Sequence, residues 1–335
     1  MKGREAMVRF GIIGTNFITE RLLEDVKDFE DFQLTAVYSR TVENAEEFAK
    51  RFGAEETYVN IEEMAKSNNV DAVYIASPNS LHAHQAITVM EQGKHVLCEK
   101  PLASNTIEVE AMVEVAKKNN VLLMEAMKTT FLPNFLSIQK NLHKIGKVRR
   151  YVGTFCKYSS RYDAYKEGKV LNAFNPKFSN GSLMDLGVYC IYPMLLLFGP
   201  PQSIQANAVL LETGVDGEGS IIFSYDNMEA VVMHSKISTS FSPSEIQGEY
   251  GSILIDNISD PEHVEIRYKD GSIEDITQIP SSLSMYYEVE EFIKLITENS
   301  KESSINSHYH SLTTIRIVEE ARKQAGILYP ADTQL

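Results

Sequence analysis

The sequence predicts a doubly wound α/β domain followed by an α+β domain with a large, mostly antiparallel, open-faced sheet. Three observations carry this prediction. Short β-branched runs alternate with amphipathic segments over the first 130 residues. The first run closes on a glycine turn. From residue 134 onward, strand-like runs follow one another through short links. Residues 8–15 form an apolar run suited to a strand buried on both faces. Residues 32–38, 70–76, 95–98 and 121–124 look alike, and 57–59 is a shorter candidate. Between them, residues 41–52 place Val42, Ala45, Phe48, Ala49 and Phe52 on one helical face, with Glu43, Glu46, Glu47 and Lys50 opposite. Residues 81–92 and 106–119 repeat this texture, and Asn105 with Glu108 forms a helix-start cap. The second half predicts a helix at 134–144, a long strand at 147–158 and a helix at 181–198. Strands follow at 203–211, 219–225, 230–238, 252–255, 264–268 and 273–279, the last two joined by the turn Lys269-Asp270-Gly271-Ser272. Helices at 285–299 and 312–325 close the pattern, the last stopped by Gly326. One cut near residue 130 gives domains at 1–130 and 131–335.

Composition limits the partners. The 335 residues are 43% hydrophobic and 23% charged, with a net charge of −14. Such acidity disfavours neutralising a nucleic-acid backbone or an anionic membrane, which leaves a small molecule as the expected partner. Cys98, Cys156 and Cys190 are odd in number and show no metal-ligand spacing, so reduced thiols in the cytoplasm and no metal are expected. The N-terminus lacks a signal-peptide core, and the apolar stretch 188–198 is short for a bilayer span and holds Pro193.

Ligands of doubly wound sheets bind beyond the carboxyl ends of the strands. There the first run gives Gly14-Thr15-Asn16-Phe17-Ile18-Thr19. Gly14 holds the first place of a dinucleotide fingerprint, while Asn16 and Thr19 stand at the other two. The second strand ends Ser39-Arg40, with no carboxylate before Glu43. A hydroxyl and a guanidinium suit a ribose 2′-phosphate, so NADP is expected, with NAD left open; a solvated loop arginine is the alternative. Ser77, Pro78, Asn79 and His82 follow the fourth strand, and Glu99 and Lys100 follow the fifth, completing the cofactor-edge candidates. His82 reads equally as a helix-start histidine, and His308 and His310 read as solvated. Asp185 and Tyr189, four apart in a helical segment, share a face, and Gly187 leaves room beside them. A tyrosine titrates near pH ~10, and a neighbouring ammonium lowers that value enough to make a proton acceptor. A locally bonded helix tyrosine is the alternative.

The segments Gly93-Lys94-His95-Val96-Leu97-Cys98-Glu99-Lys100-Pro101 and Asn180-Gly181-Ser182-Leu183-Met184-Asp185-Leu186-Gly187-Val188-Tyr189 resemble those of the Gfo/Idh/MocA oxidoreductases. So do Met124-Glu125-Ala126, Phe131 and Pro133. Glu212-Thr213-Gly214-Val215-Asp216 and Met285-Tyr286-Tyr287-Glu288 are similar to segments of the dihydrodiol and xylose dehydrogenase branch. The resemblance spans nearly the whole chain. It implies a Rossmann domain, a hydride transfer between nicotinamide and a carbinol carbon of a sugar, polyol or cyclic diol, and a homodimer through the C-terminal sheet. It further implies that Lys100 holds the cofactor and polarises the reacting oxygen, and that Asp185 and Tyr189 meet it across a cleft. Thr130 stands where that branch commonly has arginine. Net non-redox chemistry on a retained nicotinamide, or a non-catalytic NADP-binding sensor, are the competing readings.

Overall fold

The β-branched runs of the N-terminal region lie side by side in one parallel sheet. A computed structural model describes residues 7–333. In chain order the first elements are β1 (Val8–Ile13), α1 (Phe17–Asp25), β2 (Phe32–Tyr38), α2 (Val42–Phe52), β3 (Glu56–Tyr58), α3 (Ile61–Lys66) and β4 (Ala72–Ile75). They continue with α4 (Asn79–Met90), β5 (His95–Glu99), α5 (Thr106–Asn119) and β6 (Leu123–Ala126). The sheet order is β3-β2-β1-β4-β5-β6. The order reverses beside β1, which has β2 on one side and β4 on the other, and ligands of such sheets bind at that reversal. Side chains start the helices, at Asn105 as the sequence predicts. Asn105 accepts from the Glu108 amide at 2.9 Å, Thr41 caps α2, and Asn60 caps α3.

The second unit holds α6 (Pro133–Asn141), β7 (Val148–Cys156), α7 (Ser160–Lys166) and α8 (Val188–Phe198). Its strands continue as β8 (Ser203–Leu210), β9 (Asp216–Ser224), β10 (Glu229–Ser235), β11 (Ser244–Gly248), β12 (Gly251–Ile255), β13 (Val264–Tyr268) and β14 (Ile273–Asp275). They form one sheet in the order β14-β13-β12-β11-β7-β10-β9-β8. Every pairing is antiparallel except β7 with β10. Strand β11 and helix α7 went unread in the sequence: β11 is short and polar at alternate positions, and α7 buries no residue.

A single cut at residue 130 does not describe the chain. One unit runs to Lys128 and takes back Ser282–Ser311; the other holds Thr129–Ser281 and the chain from Leu312. The returning segment carries α9 (Tyr286–Thr297), whose Phe292 ring lies 5.9 Å from Phe10 of β1 and whose Tyr286 ring lies 4.8 Å from Phe29. Ahead of the helix, the Met285 amide donates to Asp25 at 2.9 Å and Lys128 Nζ donates to Ser284 at 2.9 Å. Such packing leaves no local signature. Helix α10 (His308–Ala325) begins in this unit, and His308 is buried against the Leu123 carbonyl, 3.1 Å from its Nε2, so it is not the solvated residue expected.

One stretch of the described residues, Pro176–Phe198, is long and apolar enough to cross a membrane by length and composition, and 72% of its window is buried inside the protein. Val188, Cys190, Ile191, Tyr192, Met194 and Leu195 supply core contacts there.

Candidate functional site

The turn after β1 is built around its one obligatory glycine. Gly14 has φ +108°, and a Cβ there would sit 2.7 Å from the Ala76 carbonyl oxygen that follows β4. No other residue fits. The two departures from the glycine fingerprint close this turn with side chains. Asn16 caps α1 by accepting from the Ile18 amide at 3.0 Å, and its Nδ2 donates to Ala76 O at 2.6 Å. Thr19 is buried and its hydroxyl donates to the Gly14 carbonyl at 2.8 Å. Thr15 is half-buried, Phe17 is 66% exposed and Ile18 is half-buried on the first turn of α1. At the end of β2, Ser39 is buried and its amide donates to Tyr58 O at 3.1 Å, while Arg40 is exposed. An anionic dinucleotide fits this edge. A glycine turn with no room for a Cβ lies at the sheet's switch point, a helix N-terminus adjoins it, and a guanidinium stands exposed at the next strand end. Replacing Gly14 by alanine is expected to weaken dinucleotide binding at least about tenfold, because left-handed strain and the Ala76 clash together cost about 1–3 kcal/mol or more. Fluorescence titration of the variant with NADPH measures it.

Beyond β5, three buried side chains hold three consecutive main-chain groups. Glu99 accepts from its neighbour's Lys100 amide at 3.2 Å and from the Tyr74 hydroxyl at 2.7 Å. His82 presents Nδ1 to the Pro101 carbonyl at 3.0 Å and Nε2 to the Ser77 carbonyl at 2.8 Å. Glu125 accepts from the Leu102 amide at 2.9 Å. Burial raises Glu99 above the usual carboxylate range, pushes Glu125 up to about 7, and lowers His82. His82 is fully buried with both ring nitrogens facing main-chain carbonyls, and Glu99 turns its carboxyl inward. Both shape the turn that presents Lys100, which is half-buried. Ser77 turns its hydroxyl to Gln85 Oε1 at 2.6 Å, Pro78 precedes α4, and Asn79 opens that helix. In the same segment Lys94 and His95 are structural. Lys94 Nζ donates to the Ser67 and Val70 carbonyls at 2.8 and 2.7 Å, and His95 Nδ1 accepts from the Leu122 amide at 2.8 Å. Among the described residues no group of three or more His, Cys, Asp or Glu is placed to hold a metal ion.

In the second unit, Asp185 lies on a π-helical turn, Leu183–Gly187, that runs directly into α8. A π turn inside a helix is a common mark of a functional site. Both glycines of the motif are explained by what lies beneath them. A Cβ at Gly181 would overlap Asp216 Oδ1, and one at Gly187 would sit 2.7 Å from Leu183 Cδ1 and 3.1 Å from the His234 ring. The room beside Gly187 is filled by that histidine. Asp216 Oδ2 accepts from the Ser182 hydroxyl at 2.7 Å and the Leu183 amide at 2.6 Å, and Ser182 Oγ lies 2.7 Å from His234 Nδ1. Burial pushes Asp216 up to about 6 and His234 down to about 3. Tyr189 is half-buried, its ring edge-on to Phe155 with centroids 5.6 Å apart. The sequence reading missed Lys236. Its Nζ reaches Asp185 Oδ2 at 2.8 Å although its side chain is only 3% exposed. A lysine just beyond a strand reads as a surface residue, so only the fold brings it to light.

Residues 8–127 match the Gfo/Idh/MocA oxidoreductase family with its NAD-binding Rossmann fold, and 142–254 match the family's C-terminal domain. A scyllo-inositol 2-dehydrogenase (NADP+), IolU of Bacillus subtilis, is 61% identical over 97% of this chain and 99% of that protein. A trans-1,2-dihydrobenzene-1,2-diol dehydrogenase of Danio rerio is 32% identical over 91% of this chain and 92% of its own. The crystal structure of an aldose–aldose oxidoreductase from Caulobacter crescentus shares the fold, with a TM-score of 0.85 at 20% identity over 95% of this chain and 97% of that one. Both family models and the 61% identical relative lead to one conclusion: the chain belongs to the Gfo/Idh/MocA family of oxidoreductases.

Proposed function

We propose that this protein is an NADP-dependent dehydrogenase that oxidises a secondary hydroxyl of a cyclic polyol or related sugar. The observation that carries this reading is the 61% identity, over nearly the full length of both chains, with a scyllo-inositol 2-dehydrogenase that uses NADP+. Ser39 and Arg40 at the end of β2 support the phosphate-bearing cofactor. When bound, the nicotinamide takes the hydride that leaves the carbinol carbon. The chain's own residues do the rest. Gly14, Thr15, Asn16, Phe17 and Ile18 cradle the pyrophosphate at the α1 N-terminus, and Ser77, Pro78 and Asn79 border the nicotinamide side. Lys100 polarises the reacting oxygen, Tyr189 exchanges its proton, and Asp185 orients the substrate by accepting a hydroxyl. A panel of inositols, aldoses and dihydrodiols assayed by nicotinamide absorbance tests the substrate class. Turnover of cyclic polyols above the others supports it, and turnover confined to dihydrodiols overturns it.

Cofactor choice has its own test. Arg40→Asp is expected to raise the Kd for NADPH about tenfold to a hundredfold, the range of a charge-assisted hydrogen bond, and to leave NADH nearly unchanged. Equal effects on both cofactors would separate Arg40 from the 2′-phosphate.

Two further assignments belong here. We assign the assembly as a homodimer through the second unit's sheet, because Ile222 of β9 and Met233 of β10 are exposed on a face where β8 exposes Gln205 and Asn207. Sedimentation analysis checks it. All three cysteines are free thiols, as suits the reducing cytoplasm.

A further inference from the structure

Strand β10 and the residue after it place two side chains, two positions apart, under the π-helical turn. His234 lies beneath Gly187, and Lys236 reaches Asp185. The environment of Lys236 is unusual for a lysine. Its main-chain amide donates to Gly217 O at 2.8 Å, which pins it to β9. Its ammonium meets Asp185 Oδ2 at 2.8 Å and the Ala173 carbonyl at 3.4 Å, and lies 5.3 Å from the centre of the Phe174 ring. These partners leave the side chain 3% exposed, whereas that of Asp185 is 37% exposed. The pair is therefore lopsided: the cation is sealed in and the anion faces outward.

Stability does not account for this arrangement. Removing an ammonium from water is costly, and replacing buried ion pairs by apolar groups of similar volume is often neutral or favourable. Direct substrate contact does not account for it either, since the ammonium is covered by Asp185, Ala173 and Phe174. What the geometry does accomplish is to fix one carboxylate. A charge-assisted hydrogen bond at contact distance favours a single orientation of the Asp185 carboxylate. Asp216, Glu218 and His234 lie on the neighbouring strands and Tyr189 on the helix, and the Lys236 ammonium is a cation in contact with Asp185.

We propose that Lys236 is a positioning residue for the oxidation, holding the Asp185 carboxylate in one orientation so that it accepts a hydrogen bond from a substrate hydroxyl. The inference rests on the reading that Asp185 contacts the polyol. It gives a role to an ion-paired lysine that is almost fully buried, and it places specificity for a hydroxyl donor partly in a residue behind Asp185.

The test is a double-mutant cycle on the full-length enzyme with a cyclic polyol and NADP+, comparing the parent, Lys236→Met, Asp185→Asn and the double variant. Lys236→Met is expected to lower kcat/KM about tenfold or more, through the KM for the polyol, with the KM for NADP+ unchanged, as contacting pairs in one network behave. On the Asp185→Asn background the same change is expected to cost less than about threefold. Lys236→Gln, which keeps a hydrogen bond and loses the charge, carries the same comparison if the methionine variant does not fold. Full activity in the folded Lys236 variants, or the same loss on both backgrounds, overturns the inference. Asp185→Asn with full activity instead removes the reading of Asp185, and this inference with it.

Discussion

Tyr189→Phe is expected to lower kcat for polyol oxidation by about two to four orders of magnitude, the span that a positioned proton-transfer group contributes. The phenyl ring of the variant keeps the edge-on packing against Phe155, so the helix that carries it stays in place. Only the hydroxyl is lost. Cofactor binding is therefore expected to survive, and fluorescence titration with NADPH separates this outcome from misfolding. Lys100→Ala is expected to act at the same step and to a similar extent. The buried hydrogen bonds that shape its turn run through the Lys100 amide, the Pro101 carbonyl and the Leu102 amide, none of which the substitution removes. If both residues act at the same step, as proposed, the double variant is expected to lose far less than the product of the single losses. Full turnover in either single variant would take that residue out of the chemistry.

How much of this was legible in the sequence follows from the range of each interaction. The first sheet could be read strand by strand, because a strand buried on both faces must be an apolar run and the caps that start its helices are local. Asn105 and Glu108 lie three positions apart and interact as that spacing requires. Lys100, beside Pro101 at a strand end, and Asp185 with Tyr189, four apart around Gly187, also stood out, their roles being what the family resemblance implied. What escaped is long-range. The return of 282–311 to the first unit depends on Phe292 finding Phe10 and on Ser284 finding Lys128. The pairing of Lys236 with Asp185 joins positions on a strand and a helix with no shared motif. His82 shows how the fold adds to a reading the sequence left open. Its place beside Asn79 invited a ligand role, whereas burial and two main-chain carbonyls make it a brace for the Lys100 turn.

The segment from Glu212 to Asp216 shows how a motif acquires its physical meaning. In the sequence it marked a branch of the family and nothing more. In the structure Asp216 is fully buried, and its carboxyl receives the Ser182 hydroxyl and the Leu183 amide at the start of the π turn. It is the anchor of the element that presents Asp185 and Tyr189. Burial holds its carboxyl up to about 6, so it is a costly residue at neutral pH. Its Oδ1 has no hydrogen-bond partner, and the atom lies where a Cβ at position 181 would fall.

Gly181→Ala is for that reason expected to be the most damaging small substitution in the second unit. The glycine has φ +148°, which strains any other residue, and the added methyl would overlap a buried carboxylate tied from its other oxygen. Strained backbone and overpacking each cost about 1–3 kcal/mol, so a loss of about 3 kcal/mol or more is expected, which lowers Tm by roughly 6–12 °C. Gly187→Ala offers the contrast. Its nearest obstacle is the end of the flexible Leu183 side chain, which can rotate aside, and a smaller loss is expected. The cause can be isolated by repeating Gly181→Ala on an Asp216→Ala background, where the carboxylate is gone and only the backbone strain remains. Thermal melts of the four proteins are expected to show that the alanine costs markedly less there. An equal cost on both backgrounds would mean that the backbone angle alone selects glycine, and that Asp216 does not set the position of the turn.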